Sequence, residues 1–201
     1  MSLFKRFFGL SKKENENEDS EERGKFMPDE HTPIDELFAI NFKNNGGRFI
    51  YCDNMTEVFD SFQNILIENS WENENIYCFE NKLKESFKNF KVTLSKDNTD
   101  APCFFTTCEY LVADTGALLI SSEQIKEKKL NDFPDNFIVL ATTSQLVKTI
   151  SEGLRGIKTK HPNRIPSNIT TIKNFEITTE KNFMTYGSSS KNLYLLLLED
   201  L

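Results

Sequence analysis

Asp114-Thr115-Gly116 lies between two apolar runs inside the stretch Tyr110 to Ser121. An acid at a bend between buried strands suggests two chemistries. In an aspartic protease of the retroviral type, two copies of such a turn bring two carboxylates together to share one proton. In an α/β domain, a strand end carrying Thr115 and Gly116 offers backbone N–H groups to a small anion. A plain bend also explains the residues, with Gly116 supplying a positive φ and Asp114 satisfying backbone amides. The protease context is missing. Those enzymes are all-β and need a glycine-rich flap, whereas this chain has 8 Gly and several well-signalled helices.

Other residues with chemical potential are few. Glu109 and Asp114 are candidate bases, and Gly187 to Lys191 is a candidate phosphate cradle. Cys52, Cys78, Cys103 and Cys108 form no Cys-x-x-Cys pair, so iron–sulfur ligation by this chain is not expected. His31 and His161 are far apart, and no zinc site is expected. The thiols read as free and buried, in a reducing compartment.

The elements that must position these residues alternate between helix and strand. Thr32-Pro33 reads as a helix start, and Ile34, Leu37, Phe38 and Phe42 follow at helical spacing until Asn44-Asn45-Gly46-Gly47. Arg48 to Cys52 reads as a strand. Asp53-Asn54 caps a helix carrying Val58, Phe59, Phe62, Ile65 and Leu66. Asn75 to Phe79 reads as a strand and Asn81 to Phe90 as a short helix. After the opening stretch, Glu123 to Asn131 reads as solvated and Phe137 to Ala141 as a strand. A helix is expected from Ser144, with Leu146, Val147, Ile150 and Leu154 on one face. Thr170 to Thr178 is ambiguous, and Leu193 to Leu198 is a terminal strand. This alternation predicts an α/β domain with a largely parallel sheet.

Residues 1–27 are expected to be a disordered tail. Ser11 to Lys25 has nothing apolar to bury. Leu3, Phe4, Phe7, Phe8 and Leu10 beside Lys5 and Arg6 allow at most a weak peripheral membrane contact through residues 1–10. The folded domain is expected over residues 28–201. No run is long enough to span a bilayer, and a cytoplasmic location is expected. A net charge of −7 argues against nucleic-acid partners.

Around the turn, Ala113-Asp114-Thr115-Gly116-Ala117 with Leu118-Leu119-Ile120 resembles the LUD domain, the family of lactate-utilisation protein C. That family characteristically has Ala-Glu-Thr-Gly-Thr between two apolar strands. Pro134 with Phe137-Ile138-Val139-Leu140, the helix from Gln145 to Leu154 and the final Leu195 to Asp200 fit the same pattern. There are departures. The family's Gly-Pro-Ser-Arg-Thr-Ala-Asp-Ile-Glu is matched by Ile165 to Lys173, where Pro166, Ser167 and Ile172 agree but the glycine, the arginine and both acids are replaced. Its His-Gly-Pro becomes Tyr186-Gly187-Ser188.

The resemblance implies a Rossmann-like three-layer α/β sandwich of the ribose-phosphate isomerase and CoA transferase type, with a largely parallel sheet. It implies an accessory, non-redox subunit or ligand-binding module in the oxidation of L-lactate to pyruvate, without independent catalysis. No cofactor is expected on this chain; iron–sulfur clusters are expected on partner subunits. A small anionic metabolite is the expected ligand, at Asp114, Thr115, Gly116, Pro166, Ser167, Gly187, Ser188 and Lys191. Two alternatives stay open: a stand-alone enzyme or binder for small phosphorylated or CoA-linked metabolites, and an interaction protein whose ligand site has decayed.

Overall fold

Five parallel pairings build the main sheet of the computed structural model, which describes residues 32–97, 100–175 and 190–200. The expectations for residues 1–27, Gly187 and Ser188 lie outside these residues. The elements, in chain order, begin with α1 (Ile34–Asn44), β1 (Arg48–Cys52), α2 (Met55–Glu68), β2 (Asn75–Tyr77), α3 (Asn81–Ser86), β3 (Thr93–Ser95) and β4 (Cys103–Thr107). They continue with β5 (Tyr110–Val112), β6 (Ala117–Ser121), α4 (Ser122–Ile125), β7 (Asn136–Thr142), β8 (Leu146–Val147), α5 (Ile150–Lys160), β9 (Ile169–Ile172) and β10 (Asn192–Leu198).

The six-stranded sheet has the order β1-β10-β7-β4-β2-β3. Helices and a second sheet cover both faces, which is why its central strands read as continuous apolar runs: Leu193 to Leu197 are all buried. On one face, Val58, Phe62, Ile65 and Leu66 of α2 and Leu83 of α3 pack on Ile76, Phe105, Ile138 and Leu196. The rings of Phe62, Phe87 and Phe105 meet here at 4.8–4.9 Å, pairs worth about 0.5–1.5 kcal/mol each beyond burial. On the other face, α1 and the four-stranded sheet β8-β5-β6-β9 enclose Phe104, Phe137, Val139 and Leu195. The far side of that small sheet packs Val112, Ala117 and Leu119 on Ile157 of α5. The result is the expected Rossmann-like sandwich, with a small sheet set into one outer layer.

Local chemistry explains the element boundaries. Asn54 caps α2 by accepting from Thr56 N at 2.9 Å and Glu57 N at 3.1 Å. Pro33, not Thr32, is the N-cap of α1; its carbonyl accepts Leu37 N, and no side chain caps the helix.

Several expectations need correction. No helix begins at Ser144. Leu146 and Val147 pair with β5, because the exposed edge of β5 offers backbone partners before the helix can start. The helix begins at Ile150, where Thr149 accepts Glu152 N. Glu123 to Asn131 is not wholly solvated; Gln124 and Ile125, the last residues of α4, are buried. The helix from Asn81 stops at Ser86, and β3 and β4 are strands that the sequence did not announce.

Candidate functional site

Open parallel sheets bind ligands outside the carboxyl ends of their strands, where the connections of adjacent strands part. That point lies between β2 and β4. β2 connects outward to β3 through α3 on one face, while β4 connects inward to β7 through the small sheet on the other. The residues just past these strand ends are polar and closely bonded. Glu80 follows β2, and its carboxylate accepts Thr106 Oγ1 at 2.8 Å, Thr107 N at 2.7 Å and Thr107 Oγ1 at 2.7 Å. Since β2 and β4 share a single register pair, Tyr77 with Phe104, Glu80 is also a clasp between them.

Glu109 follows β4. Its side chain is 1% exposed and accepts Ser121 Oγ at 2.7 Å, Gln124 Nε2 at 3.1 Å and Lys160 Nζ at 3.0 Å. Burial works against its charge, yet the hydrogen bonds from Ser121, Lys160 and Gln124, with the Lys160 charge, hold its carboxyl below the ordinary value. His161 Nε2 stands 3.8 Å away. Between the two acids sits Cys108, whose thiol is pushed up by burial and then by Glu109 and Glu80.

Further along the same edge, past β7 and β10, Asp200 accepts Ser144 N at 2.8 Å, Ser144 Oγ at 2.7 Å and Thr143 Oγ1 at 2.9 Å. Partial burial opposes its charge, but these bonds hold its carboxyl low. Glu199 accepts from Tyr51 and Thr143.

The sequence-derived site residues fall in separate places. The Asp114–Gly116 turn docks on the last turn of α1: Asn41 Nδ2 donates to Ala113 O at 2.8 Å, and Asn45 Nδ2 to Thr115 O at 2.7 Å. Gly116 has φ +63°, and a Cβ there would lie 2.3 Å from the Asn41 carbonyl carbon. Asp114 is exposed, and its backbone N donates to Lys148 O. Thr115 Oγ1 is buried without a hydrogen-bond partner. The end of α1 leads into the amino end of β1, so the turn sits away from the carboxyl edge.

Lys191 is at the amino edge too. It is buried, not solvated, and donates to the carbonyls of Phe133 at 2.9 Å and Pro134 at 3.0 Å beside Asp135. Desolvation lowers its pKa, against the Asp135 charge. Lys191 thus satisfies two carbonyls of the chain itself rather than standing ready as a cradle cation.

Pro166 and Ser167 lie at the other end of β6. The loop they form opens the strand β9 and not a helix of its own. Ser167 Oγ donates to Glu127 Oε1 at 2.7 Å, and its N to Ser122 Oγ at 3.2 Å. Among the described residues of the expected site, Pro166 and Ser167 alone reach the loops of the carboxyl edge.

Two residues between α4 and β7 were overlooked in the sequence. Lys126 and Lys128 place their ammonium groups over the Phe79 ring, each 5.9 Å from its centroid. They looked solvated, and nothing in their spacing reports a convergence that only the fold creates. Glu80 did have a signal: it stands immediately beyond an apolar strand and before a helix.

The four cysteines do not fit a cluster. Cys52 ends β1, Cys103 begins β4, and Cys78 and Cys108 follow β2 and β4; all are buried, and burial pushes each thiol up, Cys78 to about 11. Cluster ligation needs grouped thiolates. A surface pocket of about 500 Å³ opens on the outer helical layer instead, lined by Phe59, Gln63, Ser86 and Phe90. Glu72 and Lys91, near the amino ends of β2 and β3, close its rim.

The LUD domain model matches residues 36–198. The chain belongs to the LUD domain family. That family is associated with lactate utilisation in general. Among solved structures, this LUD domain is similar to a DUF162 family protein from Deinococcus radiodurans, with a TM-score of 0.57 and 13% identity over 83% of this chain and 96% of that one. At that identity the likeness shows the fold. No curated protein sequence matches significantly. Among the described residues of the LUD domain, no helix is long and apolar enough to cross a membrane.

Proposed function

We propose that this LUD domain is a non-redox accessory subunit or ligand-binding module in the oxidation of L-lactate to pyruvate, acting in the cytoplasm with iron–sulfur partner subunits. Membership of a family associated with lactate utilisation in general supports this reading. The observation that carries the accessory role is the state of the acids at the carboxyl edge: Glu80, Glu109 and Asp200 each accept three hydrogen bonds from the chain's own donors. A general base must reach a substrate proton with a lone pair to spare. Carboxylates held this way shape an edge, and those of Glu109 and Asp200 are held below their ordinary values, which suits positioning more than proton abstraction. Lactate oxidation also releases a pair of electrons, and thiols pushed up by burial are poor cluster ligands. This supports a reading in which the redox centres are on the partners. The test is deletion of the gene with growth on L-lactate as carbon source. Impaired growth, restored by the wild-type chain, is expected; normal growth would count against the proposal.

A further inference from the structure

We infer that the cavity of about 500 Å³ on the outer helical layer binds a small zwitterion with an aromatic end, an α-amino acid of the phenylalanine class. The site is separate from the acids of the carboxyl edge and does not rest on the lactate reading. Its volume is within the ordinary range for small-ligand pockets, roughly 300–1,000 Å³. Such pockets join an apolar body to a few polar groups that fix orientation. This one has both.

The floor is aromatic and is set before any ligand arrives. Phe59 and Phe90 line the cavity, both half-buried, with ring centroids 5.8 Å apart. Two fully buried rings hold them in place. Phe87 stands 5.1 Å from Phe59 and 5.5 Å from Phe90, and Phe62 stands 5.1 Å from Phe90. The Phe59–Phe87 and Phe62–Phe90 pairs meet edge-on, a directional contact that fixes each ring. A ligand ring on this floor would add contacts of the same kind. Gln63, one helical turn beyond Phe59, and Asn89 place amide groups in the wall.

The rim carries one charge of each sign. Glu72 and Lys91 both line the cavity, both are exposed, and neither makes an ion pair among the described residues. The backbone ties their two segments together, since Asn73 N donates to Lys91 O at 2.6 Å. The turn that carries Glu72 passes two non-glycine residues through the left-handed region, Ser70 at φ 59° and Asn73 at φ 67°. Gln63 Nε2 donates to Glu72 Oε1 at 3.3 Å, which draws that carboxylate toward the wall. A cation alone at the mouth would suit any anion, and an acid alone would suit any amine. One of each on the same rim matches the carboxylate and the ammonium of an amino acid, whose aromatic side chain then reaches the ring floor.

The experiment titrates the full chain with L-phenylalanine, read by calorimetry and by the side-chain amide signals of Gln63 and Asn89 in a proton–nitrogen correlation spectrum. Three analogues each remove one feature: phenylpropionate lacks the ammonium, phenethylamine the carboxylate and L-alanine the ring. Phenylalanine is expected to bind and to shift both amide signals. The two analogues lacking a charge are expected to bind about three- to tenfold more weakly, and alanine at least about tenfold more weakly. Glu72→Gln and Lys91→Gln change exposed side chains, so both are expected to unfold as wild type does and to bind phenylalanine about three- to tenfold more weakly. No binding of phenylalanine at millimolar concentration overturns the site. Equal binding of phenylalanine and both charge-lacking analogues, or by wild type and both variants, overturns the zwitterion. If a pentapeptide with an internal phenylalanine binds and the free amino acid does not, the cavity docks a protein segment and the small-molecule assignment falls.

Discussion

An alanine at position 116 would set its Cβ 2.3 Å from the Asn41 backbone, at a φ of +63° that L side chains rarely adopt. Both faults act on the same residue, so Gly116→Ala should cost at least about 1–3 kcal/mol. Asp114 is exposed, and Asp114→Asn should fall within about 0.5 kcal/mol of wild type. Urea unfolding decides between them; a larger loss for the aspartate variant would restore a special role for the acid. Glu109 offers a pH test. Its folded pKa is lowered, so its contribution to stability is complete above the ordinary value of 4.5 and is lost as the pH falls through the folded value. Glu109→Gln should lower stability at neutral pH by about 1–3 kcal/mol, and its unfolding midpoint should fall less steeply than that of wild type on acidification. Parallel acid limbs would show that Glu109 does not titrate on unfolding.

At the scale of elements, α5 lies so close to the small sheet that its glycines are distinguished by their neighbours. A Cβ on Gly153 would lie 2.5 Å from Leu119 Cδ1, and Leu119 is fully buried. A Cβ on Gly156 would meet the Tyr110 hydroxyl and ring, which are half-buried and can swing outward. Alanine is the better helix former by about 1 kcal/mol. Gly156→Ala should therefore stay within about 1 kcal/mol of wild type, while Gly153→Ala should lose about 1–3 kcal/mol by overpacking. Thermal unfolding of the two variants measures this directly, and equal effects would mean that α5 is not held as described. The sequence announced helices where caps and apolar spacing agree, as at Asn54 with Val58 and Phe62. It misread Leu146 and Val147 because their apolar spacing fits a helix, and the edge of β5 that claims them lies far away in sequence.

Across the whole molecule, the alternation of elements made the parallel sheet legible, but not its order. β1 pairs with β10, so Arg48 and Tyr194 meet across 146 residues, and no local signal encodes that choice. The site was legible only in part. Ser167 reaches the carboxyl edge, whereas the Asp-Thr-Gly turn and Lys191 serve the opposite end of the sheet. Lys126 and Lys128 became visible only once the chain had folded around Phe79. The proposed accessory role predicts an assembly with partner subunits that carry the redox centres. The most direct measurement is size-exclusion chromatography of the affinity-tagged chain from lactate-grown cells, reading absorbance of iron–sulfur clusters and lactate-dependent dye reduction in each fraction. The chain is expected to elute in a complex carrying both signals. Elution of the chain alone, with both signals in other fractions, would contradict it.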